Sequence, residues 1–61
     1  MVGIALRDCT SQKGFQFFVR KGEKLTVVKV YENSNYLKCN YKGMTGILKK
    51  SDVAYPGSSS V

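Results

Sequence analysis

The sequence contains no histidine and no tryptophan, and only two cysteines and one proline occur among its 61 residues. Without histidine, general acid–base chemistry near neutral pH lacks its usual side chain. Two cysteines without histidine cannot supply the four ligands of a usual zinc site. No glycine-rich phosphate loop precedes a predicted helix. We therefore expect a protein that is not an enzyme and that carries no metal or other cofactor.

Acidic residues are also scarce, because four Asp and Glu stand against ten Lys and Arg and leave a net charge of +6. A charge of this size attracts acidic proteins, anionic lipid or nucleic acid. The basic residues are dispersed along the chain, as they also are on surfaces whose charge only keeps a domain in solution. Charge alone therefore leaves the partner open.

Long apolar runs are absent, and no stretch approaches the roughly 20 residues of a membrane-spanning helix. No charged segment followed by an apolar one opens the chain as a leader. The chain has two cysteines, Cys9 and Cys39, and a small secreted domain usually carries more. We expect two free thiols and a soluble, cytoplasmic protein.

The sequence does show alternation of apolar and polar residues, which is typical of strands rather than helices. The pattern predicts a polar loop at 10–16, a tight turn at Lys42-Gly43 and a short 3₁₀ turn at 49–52 that returns Val53 to the core. Strands are expected at 3–6, 15–20, 25–30, 36–41 and 45–48.

Five short strands in so small a chain predict an all-β fold over residues 1–55. The expected architecture is a five-stranded barrel made of two packed orthogonal sheets. The small polar residues at 56–61 are expected to form a flexible C-terminal tail.

Several short motifs resemble the Src-homology-3 family. Residues 5–9 (A-L-R-D-C) are similar to its A-L-Y-D-Y opening, and 17–19 (F-F-V) stand where the family has an L-S-F strand. Residues 20–23 (R-K-G-E) resemble its K-K-G-E turn, and 46–48 (G-I-L) resemble its G-Y-I strand. The resemblance covers about residues 3–54 through the joint spacing of these motifs.

The resemblance implies a core formed by the apolar members of each alternating strand. Phe15 and Lys29 are placed on the inward side by the same alternation. The expected core residues are Ala5, Phe17, Val19, Leu25, Val27, Cys39, Leu48 and Val53.

Members of this family bind left-handed polyproline peptides in slots between aromatic rings. At the matching positions this chain has only one aromatic residue, Tyr36. The loop at 10–16 carries Lys13 and no carboxylate, where the family places acidic residues. The residues expected at the binding surface are Arg7, Cys9, Gln16, Tyr36, Lys38, Lys49 and Asp52.

These departures predict weak or absent binding of an ordinary P-x-x-P peptide. We expect an adaptor or scaffold module of signalling proteins that recognises a protein or peptide partner, acidic in character, through an altered basic surface. Two alternatives stay open. Phosphates of anionic lipid or nucleic acid could bind, with Phe15, Tyr31, Tyr36 and Tyr41 as candidates for base stacking. A weak homodimer could also cover exposed Phe18 and Val28.

Overall fold

The computed structural model describes residues 1–57. Within this range the chain forms eight strands and one 3₁₀ turn, Lys50–Asp52. The strands are β1 (Val2–Ala5), β2 (Cys9–Thr10), β3 (Gln12–Gly14), β4 (Phe18–Val19), β5 (Lys24–Val30), β6 (Tyr36–Tyr41), β7 (Met44–Lys49) and β8 (Val53–Ala54).

The strands form two antiparallel sheets. Six of them lie in the order β3-β7-β6-β5-β1-β8, and β2 pairs with β4 in a separate two-stranded sheet. The prediction of an all-β fold is confirmed. Over residues 1–57 the sheets do not close into a barrel, because β3 and β8 are free edges of the larger sheet. The closed five-stranded barrel is therefore not confirmed.

Two of the three additional strands, β2 and β3, arise because the segment predicted as a loop at 10–16 is largely paired, and the third, β8, follows the 3₁₀ turn. Thr10 pairs with Phe18, while Gln12 and Gly14 lie opposite Ile47 and Gly46 of β7. All three residues of β3 are exposed, so an edge strand of this kind has no buried face. Alternation could not reveal it, since that pattern arises only where one face is buried.

All eight residues predicted for the core are buried. Leu37 and Tyr41 join them, because burial alternates strictly along β6 and places every second side chain inward. The Tyr41 ring packs against Phe17 with 5.4 Å between ring centroids. The core therefore takes side chains from both sheets, since Val19 of β4 packs with the inward residues of β5 and β6.

Two residues expected on the inward side are exposed. Phe15 is 67% exposed because the chain turns at Gly14, which has a left-handed φ of 66°. Lys29 is exposed because the pairing of β5 with β6 shifts at a bulge between Val27 and Lys29, and this resets the alternation.

The turns lie at or within one residue of the positions that the sequence predicts. Lys42 and Gly43 both have positive φ, 51° and 82°, as a type I′ hairpin turn requires, and the predicted tight turn is confirmed. The 3₁₀ turn begins one residue later than predicted and is followed by buried Val53. Its first N–H, that of Lys50, donates to the Asn35 carbonyl at 2.7 Å.

Beyond β8 the described chain ends in an exposed turn at Pro56 and Gly57. The rest of the tail expected at 56–61, residues 58–61, lies outside the described residues. A helix long and apolar enough to cross a membrane does not occur between residues 1 and 57.

Candidate functional site

Two of the predicted site residues form an ion pair at the corner between β1 and the 3₁₀ turn. Arg7 Nη1 lies 3.3 Å from Asp52 Oδ1. The Leu6 N–H donates to the Asp52 carbonyl at 2.8 Å and holds the two segments together. Asp52 is largely shielded, with a side chain 16% exposed, whereas Arg7 is 61% exposed. The Arg7 charge is therefore already matched where the resemblance places an aromatic slot.

Cys9 lies at the same corner, half-buried against the core. Burial is the main cause that raises the pKa of its thiol, and the carboxylates of Asp52 and Asp8 raise it further against the opposing effect of Arg7. A raised pKa keeps the thiol protonated at neutral pH, and the protonated form is a poor nucleophile. The corner is thus suited to packing rather than to covalent chemistry.

Tyr36 and Lys49 lie directly opposite each other where β6 begins and β7 ends. Two steps inward, Lys38 lies opposite Ile47 in the same way. Residues directly opposite in an antiparallel pair share one face of the sheet. We call this outward surface, formed by Tyr36, Lys38, Ile47 and Lys49, the Tyr36 face.

Two adjoining clefts open on the Tyr36 face where β3 runs along β7. The smaller one, the tyrosine cleft, has a volume of about 130 Å³ and is lined by Gln12, Lys13, Tyr36 and Ile47. The larger one, the lysine cleft, has a volume of about 260 Å³ and is lined by Lys13, Gly14, Tyr31, Lys38, Thr45, Gly46 and Ile47. Residues Lys13 and Ile47 line both clefts, so the two clefts are adjoining but separate concavities.

The bulge in β5 adds a further positive charge beside the lysine cleft. It places Lys29 directly opposite Lys38 on the neighbouring strand. The Lys29 ammonium lies 5.4 Å from the ring centroid of Tyr31, which lines the cleft. Two lysines, Lys13 and Lys38, therefore line the cleft, and Lys29 lies next to it in the neighbouring hollow that Tyr31 also lines.

Among residues 1–57, no carboxylate belongs to the lining of this cleft. Asp8 and Glu23 accept backbone hydrogen bonds from the turn between β4 and β5, and Asp52 is paired with Arg7. Glu32, the remaining acidic residue, lines a neighbouring hollow together with Lys29 and Tyr31. In the part of the chain that the structure describes, the positive charge on the cleft walls is consequently not matched by a carboxylate that lines the cleft.

The structure places six of the seven predicted site residues in two neighbouring groups. Tyr36, Lys38 and Lys49 share the Tyr36 face, and Arg7, Cys9 and Asp52 meet at the corner. Gln16 is exposed between β3 and β4 and lines neither cleft.

The predicted binding surface lacked seven residues that line the clefts, although Tyr31 was considered for base stacking: Gln12, Lys13, Gly14, Tyr31, Thr45, Gly46 and Ile47. The sequence does indicate the outward position of Ile47, because Ile47 lies between Gly46 and Leu48, which both face inward. The others depend on the pairing of β3 and on the bulge in β5, which a single sequence does not display.

Among residues 1–57, no three His, Cys, Asp or Glu side chains converge in a way that could hold a metal ion. The clefts are lined by lysine and tyrosine side chains, by the polar side chains of Gln12 and Thr45, by two glycines and by one aliphatic side chain, Ile47. Groups of this kind attract and orient a ligand. No model of a known protein family matches the chain, and no curated protein matches it either.

Proposed function

We propose that this chain is a non-catalytic protein-interaction module of the Src-homology-3 type that binds an extended acidic segment of a partner on its Tyr36 face. The observation that carries the proposal is the pair of clefts lined by lysine and tyrosine, where positive charge is unmatched by a carboxylate. A binding surface whose charge complements that of its partner speeds association and selects against partners of the wrong sign.

The architecture supports the family assignment within this proposal. The eight expected core positions are buried, the hairpin turn lies at Lys42-Gly43, and a 3₁₀ turn precedes the last strand. Both sheets contribute to one core, as the two packed orthogonal sheets of a small five-stranded barrel would. The two free cysteines fit a module that works in the reducing cytoplasm, as adaptors and scaffolds of signalling do.

A proline-rich ligand is a poor fit to this surface. Proline slots need flat rings, and the corner that would form one slot holds the Arg7–Asp52 ion pair instead. A basic P-x-x-P peptide would also meet the lysines of the clefts, which repel it. We expect a dissociation constant weaker than about 100 μM, equivalent to about −5.5 kcal/mol.

An NMR titration of the ¹⁵N-labelled domain tests the proposal. One arm uses an acidic peptide and the other uses a basic P-x-x-P peptide of the same length. We expect the acidic peptide alone to shift the amides of Lys13, Tyr36, Lys38 and Ile47. Micromolar binding of the proline peptide, or shifts by the acidic peptide that avoid the Tyr36 face, would refute the proposal.

Phosphate binding is the second candidate, because the same lysines would attract anionic lipid headgroups or nucleic acid. Its support is weaker. Tyr41, one of the four aromatic residues considered for base stacking, is only 8% exposed, and its ring packs against Phe17. Filter binding of an oligonucleotide at low salt and co-sedimentation with anionic vesicles test this candidate, since contacts to phosphates are strongest at low salt, and no binding in either assay would end it.

A weak homodimer is the third possibility raised by the sequence. Phe18 and Val28 are 52% and 53% exposed, but they belong to different sheets. Sedimentation at two protein concentrations tests the dimer, and a constant monomer mass would end it.

A further inference from the structure

We propose that the lysine cleft binds one carboxylate side chain of the acidic segment, while the tyrosine cleft takes an apolar side chain two residues away in the same segment. This inference rests on the proposed function and adds the sequence pattern that the partner must carry.

The charge arrangement favours one bound carboxylate. Like charges placed directly opposite on neighbouring strands destabilise a sheet, and Lys29 and Lys38 stand in this relation. Lys13 adds its charge to the same cleft. A carboxylate in the cleft would accept charge-assisted hydrogen bonds from Lys13 and Lys38, and its charge would offset the repulsion between Lys38 and Lys29.

The backbone at Lys13 points to the same conclusion. Lys13 has a left-handed φ of 56°, which L-residues other than glycine, asparagine and aspartate rarely adopt. The pairing register shifts at this residue, between Gln12 and Gly14. A bulge of this kind redirects a side chain, and here the redirected side chain lines both clefts. An unfavourable backbone conformation is thus retained where it positions a charge for binding.

Packing around Gly14 and Gly46 holds this conformation in place. A Cβ on Gly14 would lie 2.6 Å from the Thr45 carbonyl oxygen, and one on Gly46 would lie 2.8 Å from the Ser11 side chain. The Phe15 N–H donates to the same Thr45 carbonyl at 3.0 Å. Close approach of β3 to β7 therefore leaves Lys13 little freedom to relax.

The spacing of the clefts defines the ligand pattern. Tyr36 and Lys38 lie two residues apart on the outward side of β6, a separation of about 6.8 Å. An extended peptide repeats the same spacing between residues i and i+2. A ligand running along β6 therefore offers a carboxylate and an apolar side chain separated by one residue, in the order Glu-x-Leu or Leu-x-Glu.

The volumes agree with side chains rather than with a small-molecule ligand. The clefts measure about 260 Å³ and about 130 Å³. Both are smaller than the roughly 300–1,000 Å³ typical of drug-sized sites. Ile47, which borders both clefts, provides the aliphatic contact for the apolar side chain.

The test uses the complete chain and peptides of identical composition in which Glu and Leu are either adjacent or separated by one residue. Isothermal titration or NMR shift measures the affinity of each. We expect one of the two spaced peptides to bind at least about fivefold more tightly than the adjacent one. Equal affinity of the spaced and adjacent peptides would overturn the pattern.

Variants test the cleft itself. Lys38→Gln and Lys13→Gln should each weaken binding of the spaced peptide about tenfold, because each removes a charge-assisted donor. Lys21→Gln serves as the matched control. Lys21 is exposed and lies in the turn before β5, at the opposite end of that strand from Tyr31, so its loss should change affinity by less than about twofold. Lys38→Arg should retain most of the affinity.

The possible outcomes separate this inference from the proposed function. If the acidic peptides bind on the Tyr36 face and both cleft variants match the Lys21→Gln control, only the cleft assignment fails. If no acidic peptide binds, the proposed function fails with it. Tighter binding to anionic vesicles or to a single-stranded oligonucleotide of equal charge would also overturn the inference. Because Lys13 and Lys38 lie on different strands, misfolding of one variant leaves the other to decide.

Discussion

The charged side chains at the two ends of β5 have different surroundings. At the turn where β5 begins, the Glu23 carboxylate accepts hydrogen bonds from the Arg20 N–H and the Tyr41 O–H, at 2.7 and 2.8 Å. Where β5 ends, Lys29 and Lys38 face each other beside a cleft lined by no carboxylate. The first arrangement stabilises the fold, whereas the second leaves charge available to a ligand. We propose that one end of β5 contributes to stability and that the other contributes to recognition.

The largest loss of stability is expected on replacing Ser11, a buried residue that immediately precedes β3, the strand beside the clefts. Ser11 is buried, its Oγ accepts the Phe17 N–H at 2.8 Å, and its hydroxyl donates to the Phe15 carbonyl at 2.8 Å. Ser11→Ala leaves both backbone groups without this partner and should lower the free energy of unfolding by about 1–3 kcal/mol. Urea denaturation measures the loss.

Ser51→Ala is the matched control, because Ser51 is exposed in the 3₁₀ turn and its replacement should change stability by less than about 0.5 kcal/mol. A Ser11→Ala variant as stable as this control would mean that the two hydrogen bonds do not hold the β3 segment. The stabilising role assigned to Ser11 beside the clefts would then be wrong.

The next largest effect separates backbone strain from charge at Lys13. Lys13→Gly relieves the left-handed conformation, whereas Lys13→Ala keeps the strain. The glycine variant should therefore be about 1 kcal/mol more stable than the alanine variant in urea denaturation. Both variants lack the ammonium and should lose affinity for the acidic peptide equally. Unequal losses of affinity would show that the backbone, and not the charge, governs binding.

Acid should first destabilise the turn where β5 begins, because Glu23 accepts two hydrogen bonds there. The Arg20 N–H, and then the Tyr41 O–H, lower the pKa of Glu23 below its ordinary value of 4.5, with the charges of Lys42 and Arg20 adding to the shift and burial opposing it. A group with a lowered folded-state pKa contributes stability above its unfolded pKa and loses that contribution as pH falls through the folded value. Thermal unfolding between about pH 6 and about pH 3 should show this loss.

Glu23→Gln should flatten that pH profile, because the amide cannot titrate. Tyr41→Phe provides the matched variant, since it removes one of the two hydrogen bonds and keeps the carboxyl group. Its profile should lie between those of the parent chain and Glu23→Gln. A profile for Glu23→Gln as steep as that of the parent chain would assign the acid sensitivity to other carboxylates.

Much of the fold was predictable from local pattern. Strict alternation placed Val19, Leu25, Val27 and Cys39 inward, and all four are buried. The Lys42-Gly43 turn followed from glycine where φ must be positive. Prediction failed where pairing departs from regular alternation. The exposed edge strand β3 has no inward residues, and the bulge at Val28 reverses the facing of Lys29.

The candidate site was predictable only in part for the same reason. Tyr36 and Lys38 share a face because they lie two residues apart on one regular strand, whereas Lys49 joins them through the pairing of β6 with β7. Lys13 and Tyr31 join them through a bulge and a loop, which depend on contacts between distant segments. Arg7 and Asp52 were both expected at the binding surface, yet they form an ion pair with each other, an outcome that spacing alone does not reveal.

The smallest expected change in the free energy of unfolding compares the two ends of β5 most directly. Lys38→Gln removes one member of the like-charged pair with Lys29 and should raise the free energy of unfolding by a few tenths of a kcal/mol at low salt. The gain should vanish at about 1 M salt, where the screening length falls to about 3 Å. Lys21→Gln, at the other end of the strand, should show no such gain. If Lys38→Gln instead destabilises the chain at low salt, the lysines of the cleft are already matched within the protein, and the cleft has no free charge to offer a carboxylate.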